Sequence, residues 1–298
     1  MDEFDFIKRL RPLAGPGGLG LMDDAAQLDI PKAHDLVIST DTMVEGVHFP
    51  EGRIGGGFSE RLLRTALSDL AAKGARPIGY MLNVTWPKGR HSRWIDGFIQ
   101  GLHDGQSAFD CPLLGGDTTS TLGPLVASAT VYGVVPQGGM VSRSGAKPGD
   151  ILWHTGVLGR AEKGLDFLRG RPPMIDPDER LACEEAYLRP EPRFAFRKLL
   201  RAFATACADI SDGLVSEAGH IAKASGVRVS VDADVAAGAR FGDDYELLFT
   251  APARATDALR GGALALDLPI TACGSVSEGE GVWVTDQPAR PAGFRHEL

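Results

Sequence analysis

The stretch Leu36-Val37-Ile38-Ser39-Thr40-Asp41 is a short apolar run that ends in two hydroxyls and a carboxylate. A run of Leu, Val and Ile of this length predicts a buried β-strand that delivers its polar end to a site. Related frames recur along the chain, each with an aspartate beside an apolar run or a glycine, at residues 22–26, 67–71, 115–119, 209–213 and 242–245. Their alternation with helical patterns predicts an α/β or α+β fold.

The recurring aspartates predict a cation site. Carboxylates that share a site repel each other by roughly 4 kcal/mol per close pair at an effective dielectric of about 20. A cation would offset this repulsion, and hard oxygen ligands on turns suit Mg²⁺, which often bridges protein carboxylates to substrate phosphates. The frames therefore predict a magnesium-dependent enzyme that handles phosphate.

Length and composition set the class of protein. The chain has 298 residues, of which 43% are hydrophobic and 23% charged, as expected for a globular enzyme with one large domain or two domains. The net charge of −8 argues against binding to nucleic acid or to an anionic membrane. No apolar run has the length of a membrane span, and the acidic start predicts no secretory signal. The four cysteines form no CxxC pair and predict free thiols in the cytoplasm.

Periodicity and breakers predict the order of the elements. In the first half we expect a helix at 3–13, a helix from Ser59 as N-cap to about Lys73 with Gly74 as its stop, strands at 79–86 and 125–135, and a helix at 93–109. The glycines at 15–20 match the letters of a dinucleotide fingerprint, but a helix precedes them, so we interpret the segment as a flexible loop.

A Gly-rich junction at 136–150 predicts the domain boundary, with domains at 1–137 and 138–298. The second domain is expected to contain strands near 151–155, 227–233, 245–250 and 282–285, and helices near 160–169, 194–206 and 213–225. Residues 171–193 are rich in proline and charge, and no element is assigned to them.

Several of these frames have a structural reading beside the functional one. Asp209 and Asp212 could hold a metal, but Ser or Asp as the N-cap of the next helix is the more common use of such residues. Residues 115–119 could approach a phosphate or form a simple turn. Arg143 and Lys147 could contact phosphate or lie in a solvated linker. His48 follows the Asp41 frame and is equally open to a ligand role and to a structural one.

In this order, the frames resemble the thiamine-monophosphate kinase family of the aminoimidazole-ribonucleotide-synthetase-like superfamily. The matching stretches are residues 22–26, 39–49 (STDTMVEGVHF), 66–77 (ALSDLAAKGARP), 114–119 (LGGDTT), 143–150 (RSGAKPGD), 209–214 (DISDGL), 244–249 (DYELLF) and 293–296. The resemblance implies a two-domain fold, with a mixed sheet in the N-terminal domain that forms a homodimer and an α/β C-terminal domain. It also implies ATP-dependent phosphorylation of thiamine monophosphate to thiamine diphosphate with several Mg²⁺ ions.

The resemblance also implies roles for individual residues. Those implied as metal ligands are Asp24, Ser39, Thr40, Asp41, Asp69, Asp117, Asp209 and Asp212, and catalysis would depend on Asp69, Asp117 and Asp212. Those implied as nucleotide contacts are Gly116, Asp117, Arg143 and Ser211. Those implied as thiamine contacts are His48, Asp243 and Phe294.

Two other functions stay open at this point. One is another ATP-dependent synthetase of the same superfamily. The other is a degenerate nucleotide-binding protein without catalysis, which is motivated by departures from the family pattern at Met22, Gln100 and Asp243. The retained aspartates argue against loss of catalysis, because clustered carboxylates without a cation would be costly.

Overall fold

We describe a computed structural model of the chain that covers residues 2–52, 56–89, 92–171 and 174–289. The chain divides into two compact units. Unit 1 comprises Met1–Leu70 and Ala75–Gly138, and unit 2 comprises Ala71–Gly74 and Gly139–Leu298. No helix among the described residues is both long and apolar enough to cross a membrane.

Unit 1 contains a four-stranded mixed sheet. Its elements are α1 (Glu3–Leu10), β1 (His34–Val44), α2 (Gly56–Ala72), β2 (Arg76–Pro87), α3 (Ser92–Phe109), β3 (Leu113–Thr121) and β4 (Val126–Pro136). The strand order is β1-β4-β2-β3, in which β2 and β3 are parallel and the other pairs antiparallel. The mixed sheet expected for the N-terminal half is therefore confirmed.

Helix α2 packs its predicted apolar stripe fully into the core. Leu63, Ala66, Leu67 and Leu70 are each completely buried, as their helical spacing predicted. Gly74 has a φ of +70° and ends the helical path as expected. The prediction that Ser59 caps this helix is wrong, because α2 begins at Gly56. The buried Ser59 hydroxyl instead donates to the Phe98 carbonyl at 2.7 Å and ties α2 to α3.

Residues 115–119, for which a simple turn was one reading, lie within strand β3. Gly116 is required by strand packing, since a Cβ at this position would lie 1.7 Å from the Leu82 carbonyl oxygen of β2. Strand β1 also differs from its prediction, because only one of its faces is buried. Leu36 and Ile38 remain 42% and 55% exposed at the edge of the sheet.

The glycine-rich segment 15–20 is packed rather than free. Pro16–Leu21 forms a kinked 3₁₀ helix, and the Gly15 amide donates to the Leu113 carbonyl at 2.9 Å. A Cβ on Gly18 would lie 2.9 Å from the Leu114 carbonyl oxygen. The prediction of a flexible loop is therefore wrong, because the glycines permit close packing onto β3.

Unit 2 contains a seven-stranded mixed sheet with helices on both faces. Its strands are β5 (Asp150–Thr155), β6 (Ala206–Asp209), β7 (Arg228–Val231), β8 (Leu247–Pro252), β9 (Ile270–Ser277), β10 (Gly281–Val284) and β11 (Gln287–Pro288). Its helices are α4 (Arg160–Leu168), α5 (Pro177–Leu188), α6 (Arg197–Phe203), α7 (Leu214–Ser225), α8 (Ala233–Gly238) and α9 (Thr256–Ala265). The strand order is β11-β10-β7-β9-β5-β8-β6.

Alternate residues of the central strands of unit 2 enter two separate cores. Leu152 of β5 and Leu248 of β8 pack in one core with α7. Trp153 and Phe249, their neighbours in sequence, pack in the other core with α6 and α9. This alternation is the consequence of the two-residue strand period, and it confirms the α/β class expected for the C-terminal half.

Helix α5 is the longest helix that the sequence analysis did not predict. It lies in the Pro- and charge-rich segment, where no element was assigned. Cys183 and Tyr187, one turn apart, form its buried face. A Cβ on Gly164 of α4 would lie 2.1 Å from the Cys183 carbonyl, so the two helices pack closely. The helix expected at 194–206 is also wrong at its end, where β6 begins at Ala206.

Candidate functional site

Unit 1 contains a cavity of about 220 Å³ at the edge strand β3, next to α1 and the 3₁₀ segment. Asp24 and Asp117, which are distant in sequence, both line this cavity, together with Gly116 and Thr118. Asn83 of β2 accepts a hydrogen bond from the Asp117 amide at 3.0 Å, which fixes the backbone and leaves the Asp117 carboxylate exposed. Two of the predicted metal ligands therefore meet around one small cavity.

A second oxygen pair lies between β1 and α2. The Ser39 hydroxyl donates to the Asp69 carboxylate at 2.5 Å. Asp69 flanks the buried stripe of α2, and the Ser39 hydroxyl is its hydrogen-bond partner there. Both side chains are half-buried, so the pair is held by the fold and remains accessible from one side.

Thr40 lies on the opposite face of β1 from Ser39 and Asp41. Its hydroxyl is exposed and lies 3.0 Å from the Thr130 hydroxyl of β4. Successive side chains of a strand point to opposite faces, so Thr40 cannot join its two neighbours through its side chain. Ser39, Thr40 and Asp41 were predicted to act together as metal ligands. The pleat of β1 places the Thr40 side chain on the face opposite the other two.

The unit 1 aspartates do not gather into one cluster. Asp41 and Gly116 are linked across the sheet through Ala129 and Leu82, which is three strand spacings or roughly 14 Å. Among the described residues, no group of three or more His, Cys, Asp or Glu side chains could hold one ion. The oxygen donors of unit 1 therefore form separate small sets.

These small sets fit Mg²⁺ in its usual protein environment. Magnesium keeps several waters and binds through one or two carboxylates together with substrate phosphates. Asp24 with Asp117 and Ser39 with Asp69 supply hard oxygen atoms only, in sets of that size. The donor chemistry is thus compatible with phosphate-bridged magnesium.

His48 closes a tight turn after β1. Its Nδ1 accepts a hydrogen bond from the Val44 amide at 3.0 Å, and its own amide donates to the Val44 carbonyl at 2.9 Å. Acceptance at Nδ1 places the ring proton of the neutral imidazole on Nε2. The Glu45 carboxylate, which is buried, accepts from the Gly52 and Leu125 amides and closes the same loop. His48 is therefore fixed in position and tautomer.

In unit 2, the turn between β6 and α7 carries three predicted site residues. Asp209 ends β6 and is buried, while Ser211 and Asp212 are half-buried. The N-cap of α7 is Gly213, with a φ of +105°, and no side chain caps the helix. The reading of these residues as N-caps is therefore wrong, because the helix starts beyond them.

A second turn packs directly against this one. The Asp243 amide donates to the Ser211 carbonyl at 2.8 Å, and the Tyr245 amide donates to the Ile210 carbonyl at 2.9 Å. A Cβ on Gly242 would lie 2.1 Å from the Ser211 oxygen. The fold thus brings Asp243 beside Ser211, although the two residues come from different sequence frames.

Arg143 is positioned beside α7. Its guanidinium lies 3.6 Å from the carboxylate of Glu217, which is buried on the first turns of α7. About half of the Arg143 side chain remains exposed, so the group can contact a ligand while Glu217 orients it. Glu217 and Asn83 were not predicted as site residues, because neither lies in an aspartate frame. Phe294 lies outside the described residues.

Asp244, in the second turn, has a raised pKa. Burial raises its pKa from 3.8 to about 7, although the amides of Gly159 and Ala161 lower it and Glu246 and Asp243 raise it further. The folded state thus keeps the proton that the unfolded chain loses near pH 4. This group's contribution to stability is complete below about pH 4 and falls as the pH rises towards 7.

We expect Asp244→Asn to be relatively more stable at high pH. Asparagine keeps an acceptor oxygen but carries no charge, so it resembles the protonated aspartate. The Tm difference between variant and wild type should be more positive at pH 8 than at pH 5, by about 3 °C. Thermal unfolding at both pH values measures this difference. Asp257→Asn, an exposed aspartate in the first turn of α9, is the control, and an equal difference at both pH values would contradict the prediction.

Comparisons with known proteins identify the relatives of this chain. A family model described as "AIR synthase related protein, N-terminal domain" matches residues 22–135. A thiamine-monophosphate kinase from Caulobacter vibrioides is 43% identical, over 94% of this chain and 85% of the relative. A crystal structure of thiamine-monophosphate kinase from Stenotrophomonas maltophilia K279a has a TM-score of 0.85 at 38% identity, over 96% of both chains. AaThiL complexed with AMPPCP and TMP has a TM-score of 0.80 at 27% identity, over 99% of this chain and 96% of that one.

The matches to the three individual proteins extend over nearly the whole chain and include both units, whereas the family model covers only residues 22–135. Together they confirm the resemblance that the aspartate frames indicated and the aminoimidazole-ribonucleotide-synthetase-like fold expected from it. With 43% identity over 94% of its length, this chain belongs to the thiamine-monophosphate kinase family.

Proposed function

We propose that the protein transfers the γ-phosphoryl group of ATP to thiamine monophosphate, which gives thiamine diphosphate and ADP. The single observation that carries the proposal is the cavity at β3, where Asp24 and Asp117 meet beside Gly116. Names of relatives support the reaction, and AaThiL complexed with AMPPCP and TMP supports the substrate pair. In our assignment, residues 1–137 form the metal, nucleotide and dimer domain, and residues 138–298 form the second domain.

The acceptor needs little activation by the protein. A phosphate monoester has its second pKa near 6, so its oxygen is already mostly anionic at neutral pH. No general base is then required, and the enzyme must mainly align donor and acceptor and offset their negative charge. We assign the alignment of the nucleotide to Gly116, Arg143 and Ser211, with the pairing to Glu217 holding Arg143 in place.

Several Mg²⁺ ions are part of the proposal. In unit 1 the ions would be held by Asp24, Asp117, Ser39 and Asp69, with Asp41 and the backbone of Thr40 nearby. In unit 2 they would be held by Asp209 and Asp212. Bound magnesium would neutralise charge on the phosphates. We expect turnover to depend most on three of these ligands, Asp69, Asp117 and Asp212.

The thiamine portion of the substrate is assigned to His48, Asp243 and Phe294. The described turns support this assignment for the first two, since His48 is fixed as a donor at Nε2 and Asp243 is held beside Ser211. Asp243 is acidic and half-exposed, so it suits a cationic heterocycle. We also propose that the reaction takes place in the cytoplasm, which the four free and buried thiols support.

A substrate panel distinguishes this function from the alternatives. Purified protein with ATP and MgCl₂ would be offered thiamine monophosphate, thiamine, selenide or an aminoimidazole precursor, and ADP would be measured for each. We expect ADP formation that depends on thiamine monophosphate alone. ADP formation with another acceptor would support a different synthetase, and nucleotide binding without turnover would support the degenerate binder.

We propose further that the protein is a homodimer formed through the sheet of unit 1. Leu36 and Ile38 project from the edge strand β1 with 42% and 55% exposure, and they share this face with Thr40 and Thr42. Tyr132 of β4, which pairs with Ile38, extends the same face. A partly apolar sheet face of this kind is typical of an interaction surface.

We expect Ile38→Asp to dissociate the dimer. A charge placed in the covered face would weaken association on the order of a hundredfold, because the carboxylate would lose water without gaining a partner. Light scattering after size exclusion measures the mass at micromolar protein. Leu122→Asp is the control, since Leu122 is 92% exposed in the β3–β4 turn. A monomeric wild type, or a variant that stays dimeric, would refute the proposed interface.

A further inference from the structure

The segment from Gly242 to Glu246 alternates between buried and accessible side chains. Asp243 and Tyr245 are half-buried, whereas Asp244 and Glu246 are buried. The accessible side contains Asp243, which we assign to the substrate. The buried side contains two carboxylates that the proposed reaction does not use, and their contacts explain how the segment is held.

Asp244 caps a helix that is distant in sequence. The Gly159 amide donates to both carboxylate oxygens of Asp244, at 3.0 and 2.9 Å, and the Ala161 amide makes a longer contact of 3.5 Å. These amides belong to the start of α4, where N–H groups have no partner within the helix. Gly159, the N-cap of α4, has no side chain for this purpose. Asp244 therefore supplies the cap from 85 residues away.

Glu246 anchors the other end of the segment. It accepts a hydrogen bond from the Thr155 hydroxyl at 2.6 Å and from Arg193 Nε at 2.7 Å. Gly156 leaves room for it, since a Cβ at Gly156 would lie 1.8 Å from Glu246 Oε1. The partners of Glu246 are Thr155 and Arg193, so we expect loss of the Asp244 contacts to loosen only the part of the segment that contains Asp243.

The backbone of the segment from Gly242 to Glu246 is strained. Gly242, Asp243 and Tyr245 have φ angles of +89°, +63° and +51°. Non-glycine residues in this region persist only where surrounding contacts impose them. The amides of Asp243 and Tyr245 are held from one side by the β6–α7 turn, and Asp244 is held from the other side by α4. The turn that contains Asp243 is thus held on two sides, and Asp244 supplies the contacts on one of them.

We infer that Asp244 is a positioning residue, which ties the Asp243 turn to the start of α4 and so sets where Asp243 meets the substrate. The substrate part of this inference rests on the proposed function. Asp244 itself makes no contact with substrate in this account and acts through Asp243.

A double-mutant cycle tests this role. We expect Asp244→Ala to raise the KM for thiamine monophosphate about tenfold, with the KM for ATP unchanged, because the hydrogen bonds that tie the Asp243 turn to the start of α4 are lost. Asp244→Asn keeps one acceptor oxygen and should restore most of the affinity. In an Asp243→Ala background, Asp244→Ala should have little further effect on this KM, since the residue through which it acts is gone. Additive effects, or an equal loss for both substrates, would overturn the inference. Asp257→Asn serves as the control.

Amide hydrogen exchange tests the anchor without relying on activity. Asp244→Ala should accelerate exchange at Gly159 and in the peptide that contains residues 242–245, relative to wild type and to Asp257→Asn. Unchanged exchange would overturn the anchor. If the wild type makes no thiamine diphosphate, the proposed function fails and the substrate part of the inference fails with it. The exchange result still decides whether Asp244 holds the turn.

Discussion

Asp117→Asn is expected to lower kcat for phosphoryl transfer about a thousandfold while the fold is retained. The substitution removes the negative charge at the cavity but keeps the size of the side chain. The Asp117 amide would still donate to Asn83, so strand β3 keeps its backbone hydrogen bond. Because the carboxylate is exposed, its loss leaves no buried group unpaired. Steady-state rates with ATP and thiamine monophosphate measure the effect, and circular dichroism verifies the fold.

The matched control for this prediction is Asp104→Asn. Asp104 is an exposed aspartate on α3 of the same unit, and it accepts a hydrogen bond from Gln100 through an oxygen that asparagine retains. Its substitution should leave turnover unchanged. Turnover of Asp117→Asn close to that of the wild type would show that Asp117 holds no cation needed for the reaction.

Gly116→Ala is expected to destabilise unit 1 by about 3 kcal/mol or more. A Cβ would overlap the Leu82 carbonyl oxygen, and that oxygen belongs to the neighbouring strand, which cannot move without breaking the sheet. The φ of +153° adds to the strain of any side chain at this position. The measurement is chemical denaturation followed by tryptophan fluorescence.

Gly123→Ala is the control for this substitution. It lies in the turn after β3, and a Cβ there would be at an ordinary 3.5 Å from the Thr121 hydroxyl. Its free energy of unfolding should stay near that of the wild type. A Gly116→Ala protein with normal stability but impaired turnover would mean that Gly116 serves the ligand rather than the packing of β3.

The sequence predicted the elements whose patterns reflect burial. The stripe of α2 and the stop at Gly74 were predictable because a single buried helix face has a fixed period. Strand β3 was hidden because its glycines serve close packing against Leu82, which becomes visible only when the strands are paired. Helix α5 was hidden because its buried face is narrow, with Cys183 and Tyr187 among charged residues.

For the candidate site, the frames identified the residues but not their arrangement. The pleat of β1 turns Thr40 away from Asp41, and the width of the sheet separates Asp41 from the β3 cavity. Asn83, Glu217 and Asp244 act by orienting other groups, and such roles depend on contacts between distant segments. A motif in a single sequence carries no signal for those contacts.

In the proposed reaction, phosphoryl transfer goes directly from ATP to thiamine monophosphate. Its most direct test is to incubate the protein with γ-labelled ATP, MgCl₂ and thiamine monophosphate, and to separate the products by chromatography. We predict label in thiamine diphosphate in amounts equal to ADP, and none when EDTA is present. Label that appears in inorganic phosphate, with no labelled thiamine diphosphate, would contradict the account.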